Sequence, residues 1–148
     1  MSPRVSLSLL SSALLAFLLV CSCTSFKVLR SEKPKEDPFS RVYAVPFKDF
    51  HPKLNQALQK YAKENAGNSF QVARLGSDLV IIRGWYQRDP NQARSLVVIT
   101  TRPVKVEKTR LEIKPSASHP DASPASIEAA AGSLFQIIEK ETGFIPAN

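Results

Sequence analysis

The chain has 148 residues, 43% hydrophobic and 22% charged, with a formal net charge of +7. That length holds one domain at most, and the mix is that of a globular protein rather than a collagen-like or disordered one. Both cysteines, Cys21 and Cys23, precede residue 24, so the rest of the chain has no disulfide, thiol nucleophile or cysteine metal site.

Met1 to Arg4 form a short n-region with one basic side chain, and Val5 to Val20 carry no charge. Sixteen such residues make about 24 Å of helix, short of the roughly 30 Å hydrocarbon core and right for the h-region of an export signal. Val20-Cys21-Ser22-Cys23 ends that run. This tetrad resembles the lipobox of bacterial lipoprotein precursors: an aliphatic residue, a variable one, a small one, then the modified cysteine. The resemblance covers about the first 24 residues. It implies cleavage between Ser22 and Cys23 and a thioether-linked diacylglycerol on Cys23, often with a further acyl chain such as palmitate on the new amino group. Two or three acyl chains anchor stably where one does not. Thr24 resembles the class released to the outer membrane, which implies the periplasmic face of that membrane in a diderm host and the outer face of the only membrane in a monoderm one.

Residues 24–40 read as a tether. Ser31 to Phe39 mix charges of both signs with two prolines and show no apolar periodicity, so they cannot bury enough surface to order themselves. The expected organisation is a signal peptide at 1–22, a lipidated N-terminus and tether at 23–40 and a small domain at 41–148.

Arg41 to Phe47 read as a strand that Pro46 confines to an edge or ends. Residues 52–66 have the clearest helical pattern, with Leu54, Ala57, Leu58, Tyr61 and Ala62 on one face. Pro52 suits the first helical position and Gly67 the position after the last. Lys53, Gln56, Lys60 and Lys63 fall on the opposite face, either as a solvated surface or as an anion-holding stripe. Phe70–Arg74 and Leu79–Tyr86 read as strands joined by a turn containing Gly76. The unbroken apolar run Leu79 to Ile82 predicts a central strand buried on both faces, and Gly84 a bulge or a close contact. Ser95–Arg102 is the next strand. Val104 and Val106 continue its phase while Leu111 and Ile113 take the other, which requires a turn or bulge near Glu107–Thr109. After a polar loop, Ser123-Pro124 resembles an N-cap followed by proline at N1. Ile127, Ala130, Ala131, Leu134, Ile137 and Ile138 form the apolar face of a second helix, which Gly143 and Phe144 stop. The expected fold is a two-layer α+β sandwich, a mainly antiparallel sheet of four to five strands with two helices on one face.

Motifs for chemistry are sparse. His51 precedes the first helix, where its ring could cap it, and His119 lies in the polar loop. Neither has a ligand partner at metal spacing on its own element, and neither has the base and orienting group that a nucleophile needs. Phosphate loops, nucleophile elbows and zinc-protease sequences are missing from the chain. Glu128, Glu139 and Glu141 read as the solvent face of the second helix. No cofactor, metal or nucleic-acid partner is expected. A basic exported protein would instead meet anionic lipid head groups, glycans or an envelope protein. Trp85 and Tyr86 form the bulkiest adjacent pair, one facing the core and one facing out. If Tyr86 shares the uncovered sheet face with Arg83, Arg94 and Arg102, the four make a surface for an anionic ligand.

The reading is a non-enzymatic envelope lipoprotein that serves as an interaction or assembly module. A carrier of an anionic lipid or glycan is the alternative, and a small hydrolase the second. No globular family is recognised for the mature domain. Its order of elements is loosely similar to that of the lipopolysaccharide-assembly lipoproteins, a likeness of fold plan alone.

Overall fold

A computed structural model describes residues 37–116 and 122–147. The signal peptide, Ser22, Cys23 and most of the tether lie outside the described residues, as does His119. The elements are β1 (Ser40–Tyr43), α1 (Phe47–Glu64), β2 (Ser69–Leu75), β3 (Val80–Tyr86), β4 (Ser95–Lys105), β5 (Lys108–Ser116) and α2 (Pro124–Thr142). The strands form one antiparallel sheet in the order β1-β5-β4-β3-β2. The α+β plan read from the sequence is the observed one.

Alternation sorts the sheet into two faces. Val80, Ile82 and Tyr86 of β3, Val97 and Ile99 of β4, and Leu111 and Ile113 of β5 are all buried and share one face by register. Phe50, Leu54 and Leu58 of α1 and Ala131, Leu134, Phe135 and Ile138 of α2 join them in one core. Both helices therefore lie over that face.

The first helix starts at Phe47, five residues before the expected Pro52. Phe47 and Phe50 are three apart and both buried, so one turn of added helix covers more of the core. Pro52 sits inside the helix and lacks the N–H that would reach the Lys48 carbonyl. Burial of two phenylalanines outweighs that one bond, at about 1.5–3 kcal/mol per large side chain. In consequence β1 ends at Tyr43 rather than Phe47. His51 lies in the helix instead of capping it: its Nδ1 donates to the Phe47 carbonyl at 3.1 Å. The helix ends at Glu64 with Asn65 as its cap, two residues earlier than the Gly67 stop required.

Order in the sheet differs from expectation in one respect. β4, not β3, is central. The run Leu79 to Ile82 is not doubly buried, because the sheet's far face is bare: Ile81 is half-buried and Arg83 and Trp85 are exposed. Gly84 is a close contact rather than a bulge. It pairs with Phe70, and a Cβ there would run into the Ser69 carbonyl and the Phe70 ring. The bulge of that strand pair lies instead on β2, between Val72 and Arg74. The change of phase after Val104 is a two-residue turn, Val106-Glu107, with a bulge between Pro103 and Lys105.

The second helix begins as its sequence indicates. Ser123 accepts a hydrogen bond from the Ser126 N–H at 3.2 Å and Pro124 is the first helical residue. Gly143 ends it in the left-handed conformation at φ 72°, which glycine adopts without a Cβ clash. The chain then drops Phe144 onto Phe50, their rings stacked 4.7 Å apart.

Glu139 is not on a solvent face. Its Oε1 accepts from Arg41 Nη1 at 2.6 Å and from the Tyr43 hydroxyl at 2.7 Å, which ties β1 to α2. The Arg41 guanidinium also stands 4.5 Å from the Phe135 ring centroid. Glu141 likewise accepts from Lys60 at 2.6 Å, joining the two helices. Burial first, then the hydrogen bond to Glu139 and its negative charge, holds the Tyr43 hydroxyl above its ordinary value of 10.0, with Arg41 opposing more weakly. The folded protein thus keeps Tyr43 neutral where the unfolded chain ionises it. That contribution is complete below the unfolded value and is lost as pH rises above it. Above pH 10.0, stability is expected to fall by up to about 1.4 kcal/mol per pH unit from this group. Urea unfolding across the alkaline range should show Tyr43→Phe less stable by about 1 kcal/mol near neutrality but with a shallower alkaline decline. Parallel declines in the two proteins would contradict this.

Candidate interaction surface

The face of the sheet opposite the helices carries the candidate site. Cross-strand partners define its rows. Ser69, Trp85, Leu96 and Ser116 form one row, and Gln71, Arg83, Val98 and Lys114 form the next. A third joins Arg74, Ile81, Thr100, Glu112 and Ser40. In the last, Arg102 pairs with Arg110, which pairs with Val42. Thus one end of the face is aromatic and aliphatic, with Trp85 at 45% and Leu96 at 36% exposure, and the rest is strongly basic.

Glu112 is the acidic side chain in these rows, and it lies 3.7 Å from Lys114. Among the described residues, no carboxylate comes within ion-pair distance of Arg83, Arg102 or Arg110. Arg102 and Arg110 stand directly opposite each other, with Cα atoms about 5 Å apart in such a pair. Like charges so placed repel. The face is built to present positive charge even at some expense of stability.

The four residues expected to cluster do not all meet. Arg83 and Arg102 share the bare face. Tyr86 does not: it is 2% exposed, and its hydroxyl donates to Ser133 Oγ of α2 at 2.9 Å. Alternation decides this, since Gly84 and Tyr86 must point the same way and Gly84 faces the core. Trp85 takes the outward place. Arg94 precedes β4 and lies beside Gly67, about 25 Å along the strand from Arg102. Arg110 and Lys114 escaped the sequence reading, although Lys108, Arg110, Glu112 and Lys114 alternate with Thr109, Leu111 and Ile113. That period of two was the available signal.

A polar groove of about 610 Å³ runs between α1 and β2, lined by Asn55, Gln59, Asn68 and Lys63 among others. Gln59 spans it, its Nε2 donating to the Phe70 carbonyl at 2.7 Å. Among the described residues, no group of three or more His, Cys, Asp or Glu side chains could hold a metal ion. No described helix is long and apolar enough to cross a membrane.

Comparison of the chain with protein-family models, curated proteins and solved structures finds no match.

The repulsion between Arg102 and Arg110 can be measured. Arg102→Glu should raise the unfolding free energy by about 0.5 kcal/mol in low-salt urea titrations, and molar salt should erase the gain. A loss of stability at low salt would show that the two arginines do not repel.

Proposed function

We propose that this protein is a non-enzymatic lipoprotein of the bacterial envelope, anchored through Cys23, whose bare sheet face holds an acidic surface of a partner protein. The observation that carries the reading is Trp85, 45% exposed on that face and next to Arg83, two residues away on the same strand. Tryptophan and arginine are the side chains that most often dominate binding energy at protein interfaces. Leu96 and Val98 beside them supply apolar area, and the uncompensated arginines select an acidic partner. The lipid anchor rests on the Val20–Cys23 tetrad and the uncharged run before it.

Less supports the carrier alternative. Phe50, Leu54, Leu134 and Phe135 are fully buried between helices and sheet, so a lipid entering there would have to displace core side chains.

In-cell crosslinking of the full-length protein tests both halves. The wild type should reach the membrane fraction and form one discrete crosslinked product. Trp85→Ala and Arg83→Glu should each lose most of that product, by about tenfold or more for a central interface residue. Gln136→Glu, on the exposed side of α2, should keep it. Cys23→Ala should accumulate as uncleaved precursor. Mature, membrane-held Cys23→Ala would refute the anchor, and an unchanged product from Trp85→Ala would refute the surface.

A further inference from the structure

The β4–β5 hairpin protrudes from the sheet. The last β3 partner on β4 is Thr101, and on the other side β1 accompanies β5 as far as Thr109, opposite Pro103. Past Pro103 neither neighbour flanks the hairpin, which continues through Val104 and Lys105 before its turn at Val106-Glu107, about 7 Å of additional strand. This tip is both apolar and basic. Val106 is 91% exposed and Val104 42%. Behind them Lys105 pairs with Lys108 and Arg102 with Arg110, two rungs of like charge with the Pro103–Thr109 rung between them. Glu107 is the single acid on the same stretch.

Turn chemistry does not explain Val106. Two-residue hairpin turns favour Asn, Asp and Gly, which take positive φ readily. Here neither turn residue has positive φ, and a β-branched aliphatic stands at the apex in full contact with water. Exposed valines ringed by cations fit one kind of surface well. Aliphatic side chains enter the acyl boundary of a bilayer while lysine and arginine stems reach back to the phosphates. A protein partner would more usually be met by the aromatic end of the face, about 33 Å away along the strands at Trp85.

We infer that the β4–β5 tip docks on an anionic phospholipid surface, with Val104 and Val106 inserted at the head-group boundary and Arg102, Lys105, Lys108 and Arg110 against lipid phosphates. Docking there stands the sheet upright, with Trp85 at the end far from the lipid and free for a partner. The anchored chain allows it. Ser40 lies level with Thr100, about 20 Å from the tip, and residues 24–39 span up to about 50 Å when extended. The inference takes its cellular setting from the envelope reading above, but the contact itself does not depend on that reading.

The test uses the chain from residue 24 onward, without lipid. All the core residues fall between Phe39 and Phe144, so this chain keeps the whole core. It should cosediment with vesicles of mixed phosphatidylglycerol and phosphatidylcholine, and bind phosphatidylcholine vesicles at least about tenfold more weakly, since each cation near an anionic surface contributes about fivefold. Molar salt should release it. Val106→Asp should weaken binding about tenfold or more, as should Lys105→Gln combined with Lys108→Gln, with unchanged urea midpoints. Trp85→Ala should bind the vesicles as the wild type does. Failure of the wild type to bind anionic vesicles would overturn the inference, and so would full binding by Val106→Asp. Loss on Trp85→Ala equal to that on Val106→Asp would also overturn it, by placing the lipid contact on the whole face. None of these results touches the crosslinking of the anchored protein, so the two readings fail separately.

Discussion

Everything in this molecule depends on the period of two along β3, β4 and β5. Successive side chains of a strand point to opposite faces, and here one set is aliphatic and the other largely cationic. Val97, Ile99, Leu111 and Ile113 are fully buried, while Arg83, Arg102, Arg110 and Lys114 are exposed on the other side. A slip of one residue in any of the three would drive arginine into the core. Register, core and surface charge are therefore fixed by one constraint. The same constraint forces both helices onto one side, because that side carries the continuous apolar surface.

The edges of the sheet are closed by different means. At β1 the chain's own end does the work: Tyr43 bridges to Pro146, and the Ala147 N–H donates to the Val42 carbonyl at 2.7 Å. Glu139 then holds Arg41 and Tyr43 from above. At β2 the bulge after Val72 and the amide of Gln59 on the Phe70 carbonyl interrupt the row of free backbone groups that would invite another strand. Edge pairing is thus blunted on both sides, which leaves the flat face and the hairpin tip as the surfaces with unspent binding capacity.

The plan of the fold was legible because it is local. Helical spacing in Leu54 to Ala62, the Ser123-Pro124 start and the Gly143 stop each depend on neighbours in sequence. The departures come from long-range packing. Phe47 and Phe50 extend α1 past a proline because the core is there to receive them. Glu139 is drawn inward by Arg41, almost a hundred residues earlier, which no helical wheel can show. The apolar run of β3 suggests a central strand, yet position in a sheet follows from pairing, and Trp85 and Arg83 in the same strand mark a face turned to water. For the surface, Arg83 and Arg102 were legible and Arg110 and Lys114 should have been, from alternation alone. That Arg102 faces Arg110 needed the register. Tyr86 has the bulk of a binding aromatic, whereas Gly84 beside it on the same face marks a close-packed interior.

On the proposed reading, a partner covers the bare face when the protein is held at the envelope membrane. Cys21 and Cys23 are the two cysteines of the chain; on the proposed reading cleavage removes the first and acylation blocks the second, so an introduced thiol would be the only reactive one. Labelling by a soluble maleimide should compare Leu96→Cys, beside Trp85 on the face, with Gln136→Cys on the outer side of α2. In purified protein both should react at similar rates. In intact envelopes Gln136→Cys should react as before, while Leu96→Cys should slow by about tenfold or more, as burial in an interface core requires. Equal labelling of the two in envelopes would contradict the account.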